Sequence, residues 1–349
     1  MNEVSDETQS LINKANKVFL DNFPAEACFE RALFFSWYCS IRDCTFCFMS
    51  TQPDNPRFRT VGRRTQESLL AETVLCKHFG WDLGFLSGGI GSFEVKDFKE
   101  VIKNISTTYN EKIWLNVGPL SKKVLEDYSP YLKGIVGSIE SVNPEVHKMI
   151  CPSKPVEPYL KMFNHAEELG LRKAATVITG VGETRDDFEN LKSLITDYKI
   201  NKVHIYSLVP EKGTVFQNTQ IPSLDYHAWW IAQTRINFPK IDIQCGIWSD
   251  RVERTSTLLM AGSNSVSKFP IIRKFATKPA KEIVEQAKKA GRLFKGNLTE
   301  MISLDWNRLV NELSIPEDLK NGVIQRLNMY LRMMEKNLKK QSVLVQIND

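Results

Sequence analysis

Three thiols fall within nine residues, in Cys39-Ser-Ile-Arg-Asp-Cys44-Thr-Phe-Cys47. Seven cysteines spread over 349 residues would not cluster this way by chance. A disulfide within the trio leaves one thiol over, and a reducing compartment disfavours it. Metal ligation is the remaining chemistry. Thiolates are soft ligands, suited to zinc, copper(I) or iron–sulfur clusters. A structural zinc takes four protein ligands. His78 and His147 are distant in sequence, though a fold could bring one in. Three thiolates suit a [4Fe–4S] cube that keeps one iron open. An iron–sulfur site is therefore preferred, with zinc and plain buried thiols as alternatives.

Those thiols must be positioned by the elements around them. Short apolar runs at 32–37, 83–86, 113–117, 134–139, 174–178, 203–208, 241–246 and 257–261 read as strands. Most are separated by helical stretches, at 65–79, 94–108, 121–130, 155–169, 184–199 and 223–238. Alternation of this kind predicts a parallel sheet, and eight strands favour a (β/α)8 TIM-type barrel. Thr184-x-x-Asp187 is a helix-start signal, and Gly80 and Gly170 sit where C-caps fall. The expected organisation is an N-terminal helical segment over 1–27, a barrel over 28–277 and a helical extension over 278–349. In the extension, Val323, Ile324, Leu327, Tyr330, Leu331, Met334 and Leu338 make one apolar stripe for packing on the barrel. Barrel active sites lie where strands end, and the cysteine cluster directly follows the first strand.

Composition excludes several classes. A 42% hydrophobic and 25% charged chain is ordinary for a globular protein, not a disordered or fibrous one. Net charge +5, spread along the chain, makes no nucleic-acid stripe. Met1–Ser10 lacks signal-peptide features, and no apolar run is long enough to span a bilayer. The expected location is the cytoplasm, with no membrane or nucleic-acid partner.

Three close cysteines after the first strand of an α/β barrel, with an aromatic before the last, resemble the radical S-adenosylmethionine (SAM) superfamily. The usual spacing there is C-x3-C-x2-C, and here it is C-x4-C-x2-C. The resemblance implies a [4Fe–4S] cluster on Cys39, Cys44 and Cys47, with SAM as second cofactor. It places Phe46 beside the adenine and the Ser87-Gly88-Gly89 carbonyls near the SAM amino group. Ser138-Ile-Glu140-Ser-Val-Asn143-Pro144-Glu-Val-His147 is similar to a segment of biotin-synthase-like members, and gives Glu140 to the SAM ribose or methionyl part. Tyr159 occupies a position where relatives carry an Arg for the SAM carboxylate, and Lys161 could supply that charge. Thr176-Val-Ile178-Thr179-Gly180 and His204-Ile-Tyr206-Ser-Leu208 resemble the adenine-lining segments, implicating Ile178, Gly180, Tyr206 and Leu208. Each residue also has an ordinary reading: loop packing for Phe46, an ion pair for Glu140, structural support for His147, a solvated lysine for Lys161.

The resemblance covers about residues 25–275. It implies an enzyme that reductively cleaves SAM to a 5′-deoxyadenosyl radical, acts on a small molecule, and draws on a low-potential donor of ferredoxin or flavodoxin type. The wide cysteine loop, the Gly pair without an acid and the missing Arg resemble the branch associated with [Fe]-hydrogenase, implicated in making its guanylylpyridinol cofactor. The alternatives are the [FeFe]-hydrogenase maturase and methylornithine synthase types, a tRNA-modifying radical enzyme, or a non-enzymatic iron–sulfur or zinc module. Cys28, Cys76, Cys151 and Cys245 read as buried bystanders, with Cys28 ahead of the barrel and only Cys245 on a strand, which disfavours sulfur insertion.

Overall fold

A computed structural model describes residues 3–52 and 56–348. Seven of the eight expected strands form where the apolar runs lie. They are β1 (Glu26–Ser36), β2 (Asp82–Gly88), β3 (Ile113–Asn116), β4 (Leu132–Glu140), β5 (Arg172–Thr179), β6 (Lys202–Ser207) and β7 (Asp242–Gly246). The eighth is not Thr257–Ala261. That run lies in a helix, Thr255–Met260, and the strand is β8, Ser265–Ser267. Its serines were invisible as a strand because they face a polar interior. All pairings between these strands are parallel, and β1 pairs with both β2 and β8, closing the barrel. The expected (β/α)8 fold is therefore present.

Two boundaries differ from expectation. β1 begins at Glu26, so Cys28 lies on the strand rather than ahead of it. The C-terminal extension is not purely helical. It contributes β9, Leu293–Lys295, which pairs with Glu26–Cys28.

Helices between strands are capped by their own sequence. Thr65 accepts from the Ser68 N–H at the head of Gln66–Phe79, and Gly80 closes that helix at φ +68. The Thr184–Asp187 capping box forms on a short 3-10 turn that leads into Phe188–Asp197. The final helix, Glu317–Asn348, buries Val323, Leu327, Leu331 and Met334, as its stripe requires. It packs on Gln66–Phe79, where Tyr330 Oη lies 2.7 Å from Ser68 Oγ.

The bottom of the lumen is polar. Lys202 Nζ reaches Glu30 at 2.6 Å and Asp242 at 3.0 Å. Glu30 also accepts from Ser265 and Gln244, and Gln244 accepts from Tyr206 and Ser267. Burial pushes the Glu30 carboxyl up, against the pull of Lys202. Breaking such a pair leaves an uncompensated buried charge. Lys202→Met is therefore expected to cost about 3–5 kcal/mol, read as a lower denaturant midpoint at unchanged slope.

Candidate active site

The loop after β1 runs across the C-terminal mouth of the barrel and carries Cys39, Cys44 and Cys47, each half-buried. Backbone bonds from three other loops pin it. Ser40 N–H donates to Ile90 O, Thr45 N–H to Ile150 O, both at 2.8 Å, and Val215 N–H to Thr45 O at 3.1 Å. Cys47 N–H turns back onto Cys44 O at 3.0 Å. Between Cys39 and Cys44 the chain reverses at Arg42, whose φ is +51.

The glycine pair serves this loop by its lack of side chain. A Cβ on Gly89 would lie 1.8 Å from Tyr38 O and 2.8 Å from Cys39 Cα. A Cβ on Gly88 would meet the Phe35 ring at 2.6 Å. Ser92 Oγ ties the two strands' ends, donating to Tyr38 O at 2.8 Å and Gly89 O at 2.6 Å.

Beneath the loop lies an apolar shelf. Phe46 and Cys44 pack there with Ile178, Leu208, Ile150 and Cys151. Strands β5 and β6 bring Ile178 and Leu208 together, since Leu208 N–H donates to Thr179 O at 2.9 Å. Gly180 turns away at φ +92, and its N–H and that of Val181 bond the Glu183 carboxylate at 2.6 and 2.9 Å. Tyr206 is not on the shelf. Its ring is buried in the lumen beside His204 and Trp248.

Glu140 ends β4 where the pairing with β5 skips a residue, and its φ is +64. Its carboxylate accepts from Lys154 Nζ at 2.7 Å. Lys154 is only 6% exposed and stands over the Tyr159 ring, 5.9 Å from its centroid. Lys161 is exposed on the helix Glu157–Glu168 and does not reach this group. The buried cation here is thus Lys154, which the sequence reading missed. The one available signal was a lysine between Pro152 and Pro155, ahead of a helix. His147 anchors that segment, with its ring nitrogens 2.8 Å from Ile139 O and 2.7 Å from Lys154 O.

The thiols sit in unlike surroundings. A hydrogen bond from the Cys151 thiol lowers the pKa of Cys44, burial opposes it, and the charge of Lys154 adds to the lowering. Burial pushes Cys47 up to about 12. Metal binding would replace that proton, since a coordinating thiol is deprotonated. Burial alone would pull Lys154 down, but the groups around it, the Glu140 carboxylate foremost, together raise it and hold the ammonium charged. The bystanders differ from one another. Cys76, Cys151 and Cys245 are buried, whereas Cys28 is half-buried and lines a cavity of about 330 Å³ at the opposite end of the barrel. Among the described residues no three His, Cys, Asp or Glu side chains converge on a single ion position.

A parallel barrel with a three-thiol loop at its C-terminal mouth is the architecture of a cluster-bearing barrel enzyme. The sequence profile of the radical SAM superfamily matches residues 35–195. An uncharacterized protein of Methanocaldococcus jannaschii is 33% identical over 342 residues, 93% of this chain and 94% of that one. Biotin synthase of Thermotoga petrophila is 27% identical, over 62% of this chain and 72% of its own. In fold, the chain is similar to the crystal structure of methylornithine synthase, with TM-score 0.69 and 17% identity, over 88% of this chain and 93% of that one. The chain belongs to the radical SAM superfamily and is an enzyme of that class. It works with a [4Fe–4S] cluster and SAM. No helix among the described residues is long and apolar enough to cross a membrane.

Proposed function

We propose that Cys39, Cys44 and Cys47 hold the cluster, that Phe46, Ile178 and Leu208 cover the adenine of SAM, and that the Glu140–Lys154 pair receives its amino-acid end. When bound, the cluster and SAM supply a 5′-deoxyadenosyl radical. The chain's own residues bind, orient and exclude water. The observation that carries the reading is the joining, at one mouth, of a thiol strap, an apolar shelf and a buried charged pair. The shelf offers an aromatic and two aliphatic side chains to a flat heterocycle. The Lys154 ammonium has three donors and spends one on Glu140, leaving others for a carboxylate. Glu140 keeps acceptor capacity for an amino or hydroxyl group. The Gly89 backbone gives the cysteine loop close passage. An electron donor of ferredoxin or flavodoxin type and a small-molecule substrate complete the reaction.

The test is anaerobic. Reconstituted protein with SAM and dithionite is expected to yield 5′-deoxyadenosine, and its absence sinks the reading. Lys154→Met is expected to weaken SAM binding by roughly ten- to a hundredfold, the worth of a hydrogen bond to a charged group. Lys154→Arg should recover most of it. Equal affinity in the Met variant would remove Lys154 from the site.

For the pathway, we propose a step in making the guanylylpyridinol cofactor of [Fe]-hydrogenase. The C-x4-C-x2-C spacing, the Gly pair without an acid and Tyr159 in place of an Arg support it. Deleting the gene should remove guanylylpyridinol from cell extracts, and an unchanged level would refute the assignment.

A further inference from the structure

Inside the barrel, next to the thiol strap, a lysine stands without a counter-ion. Lys268 directly follows β8 and has φ +69, a conformation a lysine adopts only when its surroundings hold it there. Its Nζ lies 4.6 Å from the centroid of the Tyr206 ring and 5.5 Å from that of Phe85. Among the described residues it makes no ion pair or hydrogen bond. Glu140 and Cys47 reach it through longer-range fields that favour its charge, and Arg31 through one that opposes it.

Phe85 belongs to β2 and Tyr206 to β6, so Lys268 is held between strands on different sides of the lumen. Between those rings stands His204, stacked on both, with centroids 5.1 and 5.9 Å away. Its Nδ1 is 3.0 Å from Thr176 Oγ1. Its Nε2 is buried and has no hydrogen-bond partner. The ring is 1% exposed, and burial keeps it neutral, with its pKa well below the ordinary value. Burial likewise brings Lys268 down to about 8. Lower in the lumen, by contrast, Glu30, Lys202, Gln244 and Ser267 are joined by an ion pair and hydrogen bonds.

An orphaned buried ring nitrogen is costly, the half-buried Lys268 ammonium beside it lacks a hydrogen-bond partner, and a single ligand that satisfies both offsets that cost. One ammonium balances one negative charge. We propose that Lys268 and His204 recognise the substrate, and that it is a small molecule bearing a single carboxylate, held with its carbon skeleton against Phe85 and Tyr206. Lys268 takes the carboxylate as a charge-assisted hydrogen bond. His204 bonds a second polar atom of the same molecule through Nε2. The inference rests on the reading of this mouth as the site of radical chemistry, and it adds the class of substrate.

Binding tests it without turnover. Reconstituted protein with SAM present is titrated calorimetrically with acetate, butyrate and benzoate, and with the matching amides. At least one carboxylate should bind with Kd at or below about 10 mM. Lys268→Gln should weaken that binding at least about tenfold, or 1.4 kcal/mol, while Lys268→Arg stays within about threefold of wild type. The amides should bind wild type and Lys268→Gln equally weakly. The proposal is overturned if no carboxylate binds, if wild type shows no preference for acid over amide, or if the Gln variant binds the acid as wild type does. Should Lys268→Gln not fold, the acid-over-amide preference of wild type decides alone. Wild-type formation of 5′-deoxyadenosine is measured separately. Protein that binds carboxylates through Lys268 but makes none would lose the radical reading and keep the subsite.

Discussion

Cys44→Ala is expected to strip the protein of its brown chromophore, leave less than half the wild-type iron, and cut 5′-deoxyadenosine formation at least about a thousandfold, near 4 kcal/mol of barrier. Cys44 lies at the centre of the strap, one turn from Cys47 and packed on the shelf that carries Phe46. Removing it leaves two thiols where three irons need ligands. The fold itself should hardly suffer. Cys44 is half-buried, and losing one thiol there should cost about 1 kcal/mol or less. Loss of iron with an almost unchanged unfolding midpoint is thus the signature. Cys151→Ala is the comparison. Cys151 touches Cys44 but lies beyond β4, outside the strap. It should keep its iron. If both variants lose iron alike, the three-thiol assignment fails. One zinc per chain with no visible absorbance would favour the zinc alternative.

Gly89→Ala should be nearly as damaging without touching a ligand. Its Cβ would sit 1.8 Å from Tyr38 O and 2.6 Å from Tyr38 C, far inside contact distance. Backbone atoms cannot swing aside as a side-chain end can, so the strap carrying Cys39 must move. A loss of about 3 kcal/mol or more in stability is expected, together with iron content below half. Gly170→Ala separates this from the ordinary cost of losing a glycine. Gly170 also has positive φ, +65, but nothing lies within 4 Å of the added carbon. It should lose only about 1 kcal/mol, from strain, and keep its iron. Unchanged midpoint and iron in Gly89→Ala would show that the strap does not depend on this close approach.

The barrel was readable because most of its strands are apolar runs flanked by helices with good caps. Seven were found on that basis. The eighth failed for a physical reason. Thr257–Ala261 is apolar because its helix is buried, and a short buried run has no period to tell helix from strand. Ser265–Ser267 looks like a loop because its serines serve Glu30 and Gln244 inside the lumen. β9 escaped similarly. Three residues of an edge strand form only because Glu26–Cys28 offers them a partner.

The site divides along the same line. Three thiols in nine residues after a strand point to a cluster whatever the fold does with them, because ligand type and local spacing are properties of the chain. The order of motifs along the chain likewise names the superfamily. Contacts between distant segments are not encoded in spacing. Lys161 looked suitable because it stands two residues from Tyr159, yet that places it on the solvent side of its helix. Lys154 reaches Glu140 across fourteen positions because the Pro144–Ile150 helix folds its segment back under the cysteine loop. Lys268 directly follows β8 and His204 lies within β6, with no local sign that they meet. Only closure of the barrel sets them against the same two rings, His204 buried and Lys268 half-buried, each with a polar atom lacking a hydrogen-bond partner. Ligand chemistry is local and could be read from one segment, whereas charge pairing and desolvation arise when remote strands share one lumen.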